Sequence, residues 1–169
     1  MSSFKVIVAA GLLLTVQACG FQPLYQQGLA PTSAGSQLNT ILVNPIADRV
    51  GQDLRNHLYD ALTPNGQPST PKWELSVTLI ESIQKIAVLQ TSFSTRANLN
   101  LTASFALSFV GDGEQTNHSG TATAISGYNI LDSEYATLVA ERDARSRAVQ
   151  VLSVDIRRQL AIWLNSPQP

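Results

Sequence analysis

The sequence has a single cysteine, Cys19, in 169 residues, so no internal disulfide framework can hold the fold together. Charged residues make up only 14% of the chain, against about 25% in typical soluble domains. The formal net charge is −1, which excludes the strongly basic footprint of a nucleic-acid-binding protein. After residue 18 no apolar run is long enough to cross a bilayer, which takes about 20 residues as a helix.

Neutral polar side chains take the place of the missing charge. Serine, threonine, asparagine and glutamine account for 17, 13, 9 and 13 residues, together 52 of 169. Neutral polar groups are easier to desolvate than ions and can form new hydrogen bonds. This composition suits a surface that is buried against another polar surface, although it is also typical of Ser/Thr-rich envelope proteins in general.

The start of the chain has the layout of a secretory signal. Lys5 is the only charge before position 19, and an apolar run over residues 6–16 follows it. The small residue Ala18 then directly precedes Cys19, as at a signal-peptide cleavage site. A signal peptide that ends at a lone cysteine resembles the lipobox of bacterial lipoproteins. The resemblance implies cleavage after residue 18 and acylation of Cys19; the alternative is a cleaved protein with a buried free thiol.

Acylation of Cys19 would determine where the protein resides. Each buried methylene contributes about 0.8 kcal/mol, and one chain alone gives only marginal anchoring. Several chains on one residue would hold the domain on a membrane as its only anchor. Gly20 follows the cysteine at the place where an inner-membrane retention signal of the enterobacterial type carries Asp, so the expected location is the periplasmic face of the outer membrane.

Four segments are expected along the chain. The signal peptide covers residues 1–18, and a lipidated tether rich in Gln, Gly, Pro and Ser covers residues 19–37. A folded domain follows over residues 38–165, with a short tail over residues 166–169. A domain of this length can bury one hydrophobic core.

A strand and a helix open the domain. Residues 38–43 are β-prone, and Asn44-Pro45 predicts a helix start, with Asn44 as the cap and proline in the first turn. Apolar residues then recur every four positions, which predicts one buried helix face. That face comprises Ile46, Val50, Leu54, Leu58 and Leu62.

Three long strands follow. Apolar and polar residues alternate from Trp73, and the stretch stays β-prone to about Leu89. The next strand alternates from Leu99 to Phe109, and residues 111–114 predict a tight hairpin. The fourth strand is expected over residues 115–130.

A long helix is expected to close the domain. No glycine or proline occurs from Glu134 to Leu164, and Ser133 is placed to cap the helix. The predicted buried stripe comprises Leu138, Ala148, Val149, Leu152, Ile156, Leu160 and Trp163.

The element order β-α-β-β-β-α predicts an α+β two-layer sandwich. The three long strands form an antiparallel meander, and the first strand pairs in parallel through a crossover helix. The result is a four-stranded mixed sheet with both helices on one face. The other face is expected to be open and polar, lined by Asn98, Asn100, Thr102 and Ser104.

No catalytic or metal-binding pattern is visible, and we expect a protein that is not an enzyme and carries no cofactor. His57 and His118 have no nucleophile or metal partner at a recognisable spacing. His57 is expected to be a half-buried helix residue and His118 an exposed strand residue. The charge run over residues 141–147 is expected to be a solvated helix face.

Two cations lie near the turn between the second and third strands. Lys85 and Arg96 are the only charges between Glu81 and Asp112. If they meet across the hairpin, they could bind one phosphate of a lipopolysaccharide head group. The alternative is that they are ordinary surface cations.

Several stretches together resemble the alphaproteobacterial form of the lipopolysaccharide-assembly lipoprotein LptE. The resemblance covers nearly the whole chain after the signal segment, and it rests on the order of its motifs. They are Cys19–Tyr25, Arg49–Leu58, Thr95–Leu99, Tyr128–Asn129 and Ser133–Ala136, the last ahead of a long Arg/Ala-rich helix.

The resemblance implies a non-enzymatic outer-membrane lipoprotein. In that family the protein is a plug inside the β-barrel of its partner LptD and helps deliver lipopolysaccharide to the outer leaflet. The competing interpretation is an auxiliary lipoprotein of another envelope lipid transporter, or a periplasmic lipid-binding module. A lipid carrier needs an apolar cavity, whereas the one clear apolar face of this sequence is needed to pack two helices.

Overall fold

A computed structural model describes residues 37–64, 66–87, 94–111 and 117–166. The predicted signal peptide, the tether up to residue 36, residues 112–114 of the hairpin and the tail from residue 167 lie outside the described residues. The α+β class and the element order are confirmed. The strands are β1 (Ile41–Val43), β2 (Trp73–Ala87), β3 (Ser94–Phe109) and β4 (His118–Asn129), and the helices are α1 (Asp48–Leu62) and α2 (Glu134–Asn165).

The sheet is mixed, with strand order β1-β2-β3-β4. β1 pairs in parallel with β2, placing Ile41 opposite Trp73. The β2–β3 and β3–β4 pairs are antiparallel, and Leu99 of β3 lies opposite Ile83 on one side and Ser126 on the other. The predicted parallel crossover and the predicted meander are therefore both present.

The hydrophobic core lies on one face of the sheet. Side chains alternate along a strand, so the alternate apolar residues of β3 share one side, and α1 and α2 pack against that side. The buried residues of β3 on this face are Ala97, Leu99, Leu101, Ala103, Phe105 and Leu107. The helices contribute Leu54, Leu58, Leu62, Ala148, Val149, Leu152, Ile156 and Leu160. Both helices thus cover the same face, as predicted.

The start of α1 differs from the prediction. The helix begins at Asp48, with Ala47 at the cap position and no side-chain cap hydrogen bond. The Asn44 side-chain nitrogen instead donates to Ser76 Oγ at 3.1 Å, and its backbone N–H donates to the Leu75 carbonyl at 2.9 Å. Asn44 therefore extends the β1–β2 pairing rather than capping the helix.

The first strand is also shorter than predicted. The N–H and Oγ of Thr40 donate to the Gln37 carbonyl at 3.0 and 2.7 Å. These bonds close a turn immediately before Ile41, so Leu38 is buried in the core without belonging to the strand.

Helix α2 has the predicted length and cap, but its first turns are not buried. Ser133 Oγ accepts a hydrogen bond from the Ala136 N–H at 3.4 Å, as expected. Leu138 was predicted to be buried and is 42% exposed. Ala140 packs against the core and Ala144 is fully buried, so α2 joins the core only after its first turns. Leu138 therefore lies before the part of the helix that packs against the core.

Candidate functional site

The sheet face away from the helices is open and almost free of charge. Asn98, Asn100, Thr102 and Ser104 of β3 lie on it, as predicted, beside hydroxyl and amide residues of β2 and β4. Of the described side chains that β2, β3 and β4 place on this face, the only charged ones are Glu74 and Arg96, which lie at opposite ends. A sheet face of this kind can pack against another polar surface without burying an unpaired ion.

Two isoleucines stand out on this open face. Ile80 shares a cross-strand row with Thr102 and Thr123, and Ile125 shares the next row with Asn100 and Ser82. Their side chains are 65% and 68% exposed. The middle of the face therefore offers two separate aliphatic contacts within neutral polar surroundings.

The predicted cation pair is divided by the sheet. Lys85 lies opposite Ala97 and Arg96 lies opposite Ile86. Ala97 belongs to the buried side, so Lys85 is on the helix side and Arg96 is on the open face. The expectation that both side chains approach one phosphate is therefore not met. Neither forms an ion pair with a carboxylate in the part of the chain that the structure describes.

Arg96 lies along the open face beside a glycine. A Cβ added to Gly127 would come within 3.0 Å of Arg96 Nη2 and 3.4 Å of Asn98 Oδ1. The missing side chain at Gly127 thus leaves the space that the guanidinium occupies. Cys19, the predicted lipidation site, lies outside the described residues.

A cleft of about 730 Å³ with many charged side chains in its lining lies between the first half of α1, the middle of α2 and Glu81 of β2. Its lining contains carboxylates and guanidinium groups in equal number, together with amide, hydroxyl and one aliphatic side chain. The lining residues are Asp48, Arg49, Val50, Gln52, Asp53, Asn56, Glu81, Arg142, Arg145 and Ser146. An acyl chain bound in this cleft would remove water from six charged side chains, which is costly.

An ion-pair network forms one wall of this cleft. Arg145 Nε donates to both Glu81 carboxylate oxygens, at 2.9 and 3.1 Å, and Nη2 donates to Oε1 at 2.8 Å. Arg145 also pairs with Glu141, one helical turn earlier. The hydrogen bonds that Arg145 donates to Glu81 raise the pKa of Arg145 above its ordinary value. The network ties α2 to β2, so residues 141–147 are only partly the solvated face that was predicted.

The sequence contained a signal for Glu81 that composition alone did not show. Glu81 continues the alternation of Trp73, Leu75, Val77 and Leu79, and so falls on the apolar side of its strand. A carboxylate at such a position needs a partner. The partner, Arg145, is 64 residues away, which is why local patterns did not reveal it.

The start of α1, on the cleft wall, has an unusual backbone. Asp48 has φ of +66°, a left-handed conformation that is uncommon outside glycine and in which Asp and Asn are enriched. This conformation turns the chain from the buried Ile46 into the first turn of the helix.

His118 was predicted to be exposed but is half-buried against aromatic rings. Its ring stacks on Trp163 with centroids 5.0 Å apart and lies 6.1 Å from the Phe105 ring. Trp73 contacts Trp163 edge to face at 5.2 Å. Burial lowers the pKa of His118, so the neutral ring is favoured. His57 is a half-buried helix residue, as expected.

The described residues form neither a metal site nor a membrane-spanning helix. Within them no group of three His, Cys, Asp or Glu residues is arranged to hold a metal ion. None of the described helices has the length and apolar character needed to cross a bilayer.

Comparison with known proteins relates the fold to lipoproteins. No protein-family model matches the chain, and no curated protein matches its sequence. A structure of a candidate lipoprotein from Caulobacter crescentus is similar at 25% identity and a TM-score of 0.63, covering 79% of this chain and 97% of that one. A minor lipoprotein from Acinetobacter baumannii is similar at 22% identity and a TM-score of 0.60, covering 78% and 96%.

A third structure has the same fold with little sequence similarity. Rare lipoprotein B from Shewanella oneidensis is 10% identical, with a TM-score of 0.57, and the match covers 73% of this chain and 94% of that one. In all three cases the match spans nearly the whole of the solved chain. The described domain therefore has the fold of solved bacterial proteins that are named as lipoproteins.

Proposed function

We propose that the protein is a non-enzymatic lipoprotein of the outer membrane that forms a plug and assembly complex with the LptD β-barrel. In this role it assists the transport of lipopolysaccharide and its insertion into the outer leaflet. The observation that carries the proposal is the open sheet face, which is long, nearly uncharged and uncovered by either helix.

The chemistry of that face suits the interior of a barrel. The lumen of an outer-membrane barrel is polar, because lipid-facing and lumen-facing residues alternate along its strands. Hydroxyl and amide groups can exchange water for hydrogen bonds to such a wall, whereas an unpaired ion could not do so at low cost. Ile80 and Ile125 add aliphatic contacts within the same surface.

Two further lines support the assignment to the envelope. Similar solved structures are named as lipoproteins, and residues 1–19 have the layout of a lipoprotein signal with its cysteine. The motifs shared with LptE extend from Cys19 to the start of α2. A lipid on Cys19 would hold the domain at the periplasmic face of the outer membrane.

Two cations at the end of the β2–β3 hairpin are the candidate contacts for lipopolysaccharide. Lys85 and Arg96 are exposed, without a carboxylate partner among the described residues, and on opposite sides of the sheet. We assign each to a separate anionic group of the lipid head. Charge-assisted hydrogen bonds to phosphate are roughly twice as strong as neutral ones.

The cleft between the helices argues against a lipid carrier. Six of its ten lining residues are charged, among them Glu81 and Arg145, and an acyl chain bound there would remove water from these ions at a high cost. The competing interpretation that remains is an auxiliary lipoprotein of a different envelope transporter.

Depletion and co-purification test the proposal. With the protein depleted, we expect less correctly assembled LptD and less surface lipopolysaccharide. The tagged full chain should also co-purify LptD from detergent-solubilised outer membranes. Normal amounts of assembled LptD and surface lipopolysaccharide after depletion would contradict the proposal, and co-purification of a different transporter would favour the competing interpretation.

A further inference from the structure

The outer edge of β2, from Val77 to Lys85, is a stretch of strand backbone that no other strand pairs with in the described part of the sheet. We infer that this edge binds an extended segment of the LptD barrel protein, which adds to the sheet as a fifth strand beyond the end of β1. This inference rests on the proposed function, because that function supplies the partner.

The pairing of β1 shows which backbone groups are free. β1 covers only Trp73 to Leu75 of β2, and the Leu75 carbonyl accepts from the Asn44 N–H on that side. Backbone groups alternate in direction along a strand, so the N–H and C=O groups of residues 77, 79, 81, 83 and 85 point the same way as those of Leu75. No hydrogen bond within the described part of the chain reaches them.

The outer edge of β4, on the opposite side of the sheet, is partly covered by side chains of α2. Arg147 Nη2 donates to the outward carbonyl of Gly127 at 3.2 Å. Gln159 Nε2 donates to the outward carbonyl of Thr121 at 3.1 Å. Side chains of α2 thus occupy acceptors of the β4 edge, a common means of preventing unwanted strand pairing. The β2 edge has no such cover among the described residues.

The side chains along the β2 edge do not oppose an added strand. Val77 and Leu79 are half-buried, and Glu81 forms an ion pair with Arg145 of α2. Lys85 lies only at the far end. The cleft below Glu81 gives room for side chains of the incoming strand that point toward the helices.

The walls of the cleft define the chemistry of that strand. Carboxylates such as Asp53 and guanidinium groups such as Arg142 line it together, so a neutral amide or hydroxyl side chain fits there better than an ion of either sign. On the other side the strand would lie beside Thr78, Ile80 and Ser82, which suits neutral polar or aliphatic residues. Strands of the barrel wall are already paired on both sides, so the segment must come from a loop or a terminal extension of the barrel.

A second copy of this chain fits the edge less well. Antiparallel pairing of two β2 edges that overlaps all of residues 77–85 places Glu81 opposite Glu81 of the second copy. Like charges directly opposite each other are destabilising. A heterologous strand has no such conflict.

Proline substitution at Ile83 tests the backbone contact. Its N–H points outward, so Ile83→Pro removes a donor from the free edge and leaves the β2–β3 ladder intact. Ile83→Ala controls for the lost side chain. The full-length, membrane-anchored protein is co-expressed with LptD, and we expect about tenfold weaker co-purification for Ile83→Pro than for Ile83→Ala, as for the loss of one or two hydrogen bonds.

A matched proline on the other edge completes the test. The N–H of Thr123 points outward from β4, so Thr123→Pro should leave LptD co-purification close to wild type. Melting temperatures of the purified variants show whether each remains folded. Equal co-purification by folded Ile83→Pro and Ile83→Ala would overturn the inference while leaving the proposed function standing. Failure of the wild type to co-purify LptD would overturn both.

Photo-crosslinking identifies the occupant directly. A benzophenone amino acid at position 83 should crosslink to LptD, whereas the same residue at Val154, on the exposed side of α2, should not do so to the same extent. A crosslink from position 83 to a second copy or to residues 20–36 of the same chain would overturn the inference. So would the absence of any crosslink in an intact complex, which would mean a solvated edge only.

Discussion

Lys85 and Arg96 show how strand register controls what two neighbouring charges can do. They are close along the hairpin, but the pairing of Lys85 with Ala97 and of Arg96 with Ile86 directs them to opposite sides. Two cations that cannot share one phosphate can still bind two anionic groups. Their contributions should then be independent rather than cooperative.

We therefore predict additive losses of lipopolysaccharide binding. Lys85→Glu and Arg96→Glu should each weaken binding of the purified protein, by up to about fivefold, since an exposed ion pair contributes up to about 1 kcal/mol. The double variant should show the product of the two losses. Titration at low and high salt checks this, because salt screens exposed charges.

Lys72→Glu is the control for the general effect of charge. Lys72 is exposed and directly precedes β2, at the opposite end of that strand from Lys85. Reversing the charge of Lys72 should weaken lipopolysaccharide binding less than Lys85→Glu or Arg96→Glu does. Binding at the wild-type level by the double variant at low salt would show that Lys85 and Arg96 are ordinary surface cations.

At the scale of the elements, the contact between β2 and α2 depends on Glu81 and Arg145. The pair has three hydrogen bonds of 2.8 to 3.1 Å, and both side chains are about a quarter exposed, at 27% and 25%. Because the guanidinium contacts both carboxylate oxygens, this pair is held more rigidly than a typical surface ion pair, in which two long side chains are loosely ordered.

A double-mutant cycle with Glu81→Gln and Arg145→Met should give a coupling energy of about 1 kcal/mol, the upper end for partly exposed pairs. Urea denaturation of the four proteins measures it. The pair Asp155 and Arg158, which lies within α2, serves as a comparison and should couple more weakly. A coupling energy near zero for Glu81 and Arg145 would mean that the contact does not stabilise the fold.

The sequence was sufficient for elements whose signals are local. The alternation of apolar and polar residues from Leu99 to Phe109 predicted β3. The four-residue spacing from Ile46 to Leu62 predicted the buried face of α1. Both patterns are local, because the type of each side chain indicates whether it faces the core or the solvent. Long-range contacts gave no such signal. Asn44 was predicted to cap α1 because Asn-Pro is a common helix start, but the nearby Ser76 and Leu75 of β2 offered it other hydrogen bonds.

The candidate site was less predictable than the fold for the same reason. The alternation of side chains along β3 predicted the polar open face. The cleft could not be predicted in this way, because it forms only where α1, α2 and β2 come together in the folded chain. His118 looked exposed in its local sequence, but Trp163 from the far end of α2 covers its ring. Leu138 had the helical spacing of a core residue, but it lies before the part of α2 that packs against the core.

At the scale of the whole molecule, the proposed function depends on a lipid anchor at Cys19. Cys19→Ser should leave a precursor that is unacylated and uncleaved, or a product that no longer fractionates with membranes, because serine lacks the thiol to be alkylated. Mass spectrometry of the purified protein and membrane fractionation measure the two effects. An unchanged mass apart from the substitution, together with unchanged fractionation, would show that Cys19 carries no lipid.

The short strand β1 has a mechanical consequence in an anchored protein. A chain held by a lipid on Cys19 would enter the described fold at Gln37, immediately before buried Leu38 and the three residues of β1. Tension on the anchor would therefore load the shortest strand of the sheet before it reached the long meander of β2, β3 and β4. The fold would yield to such a force first at β1, and the rest of the sheet would keep its shape.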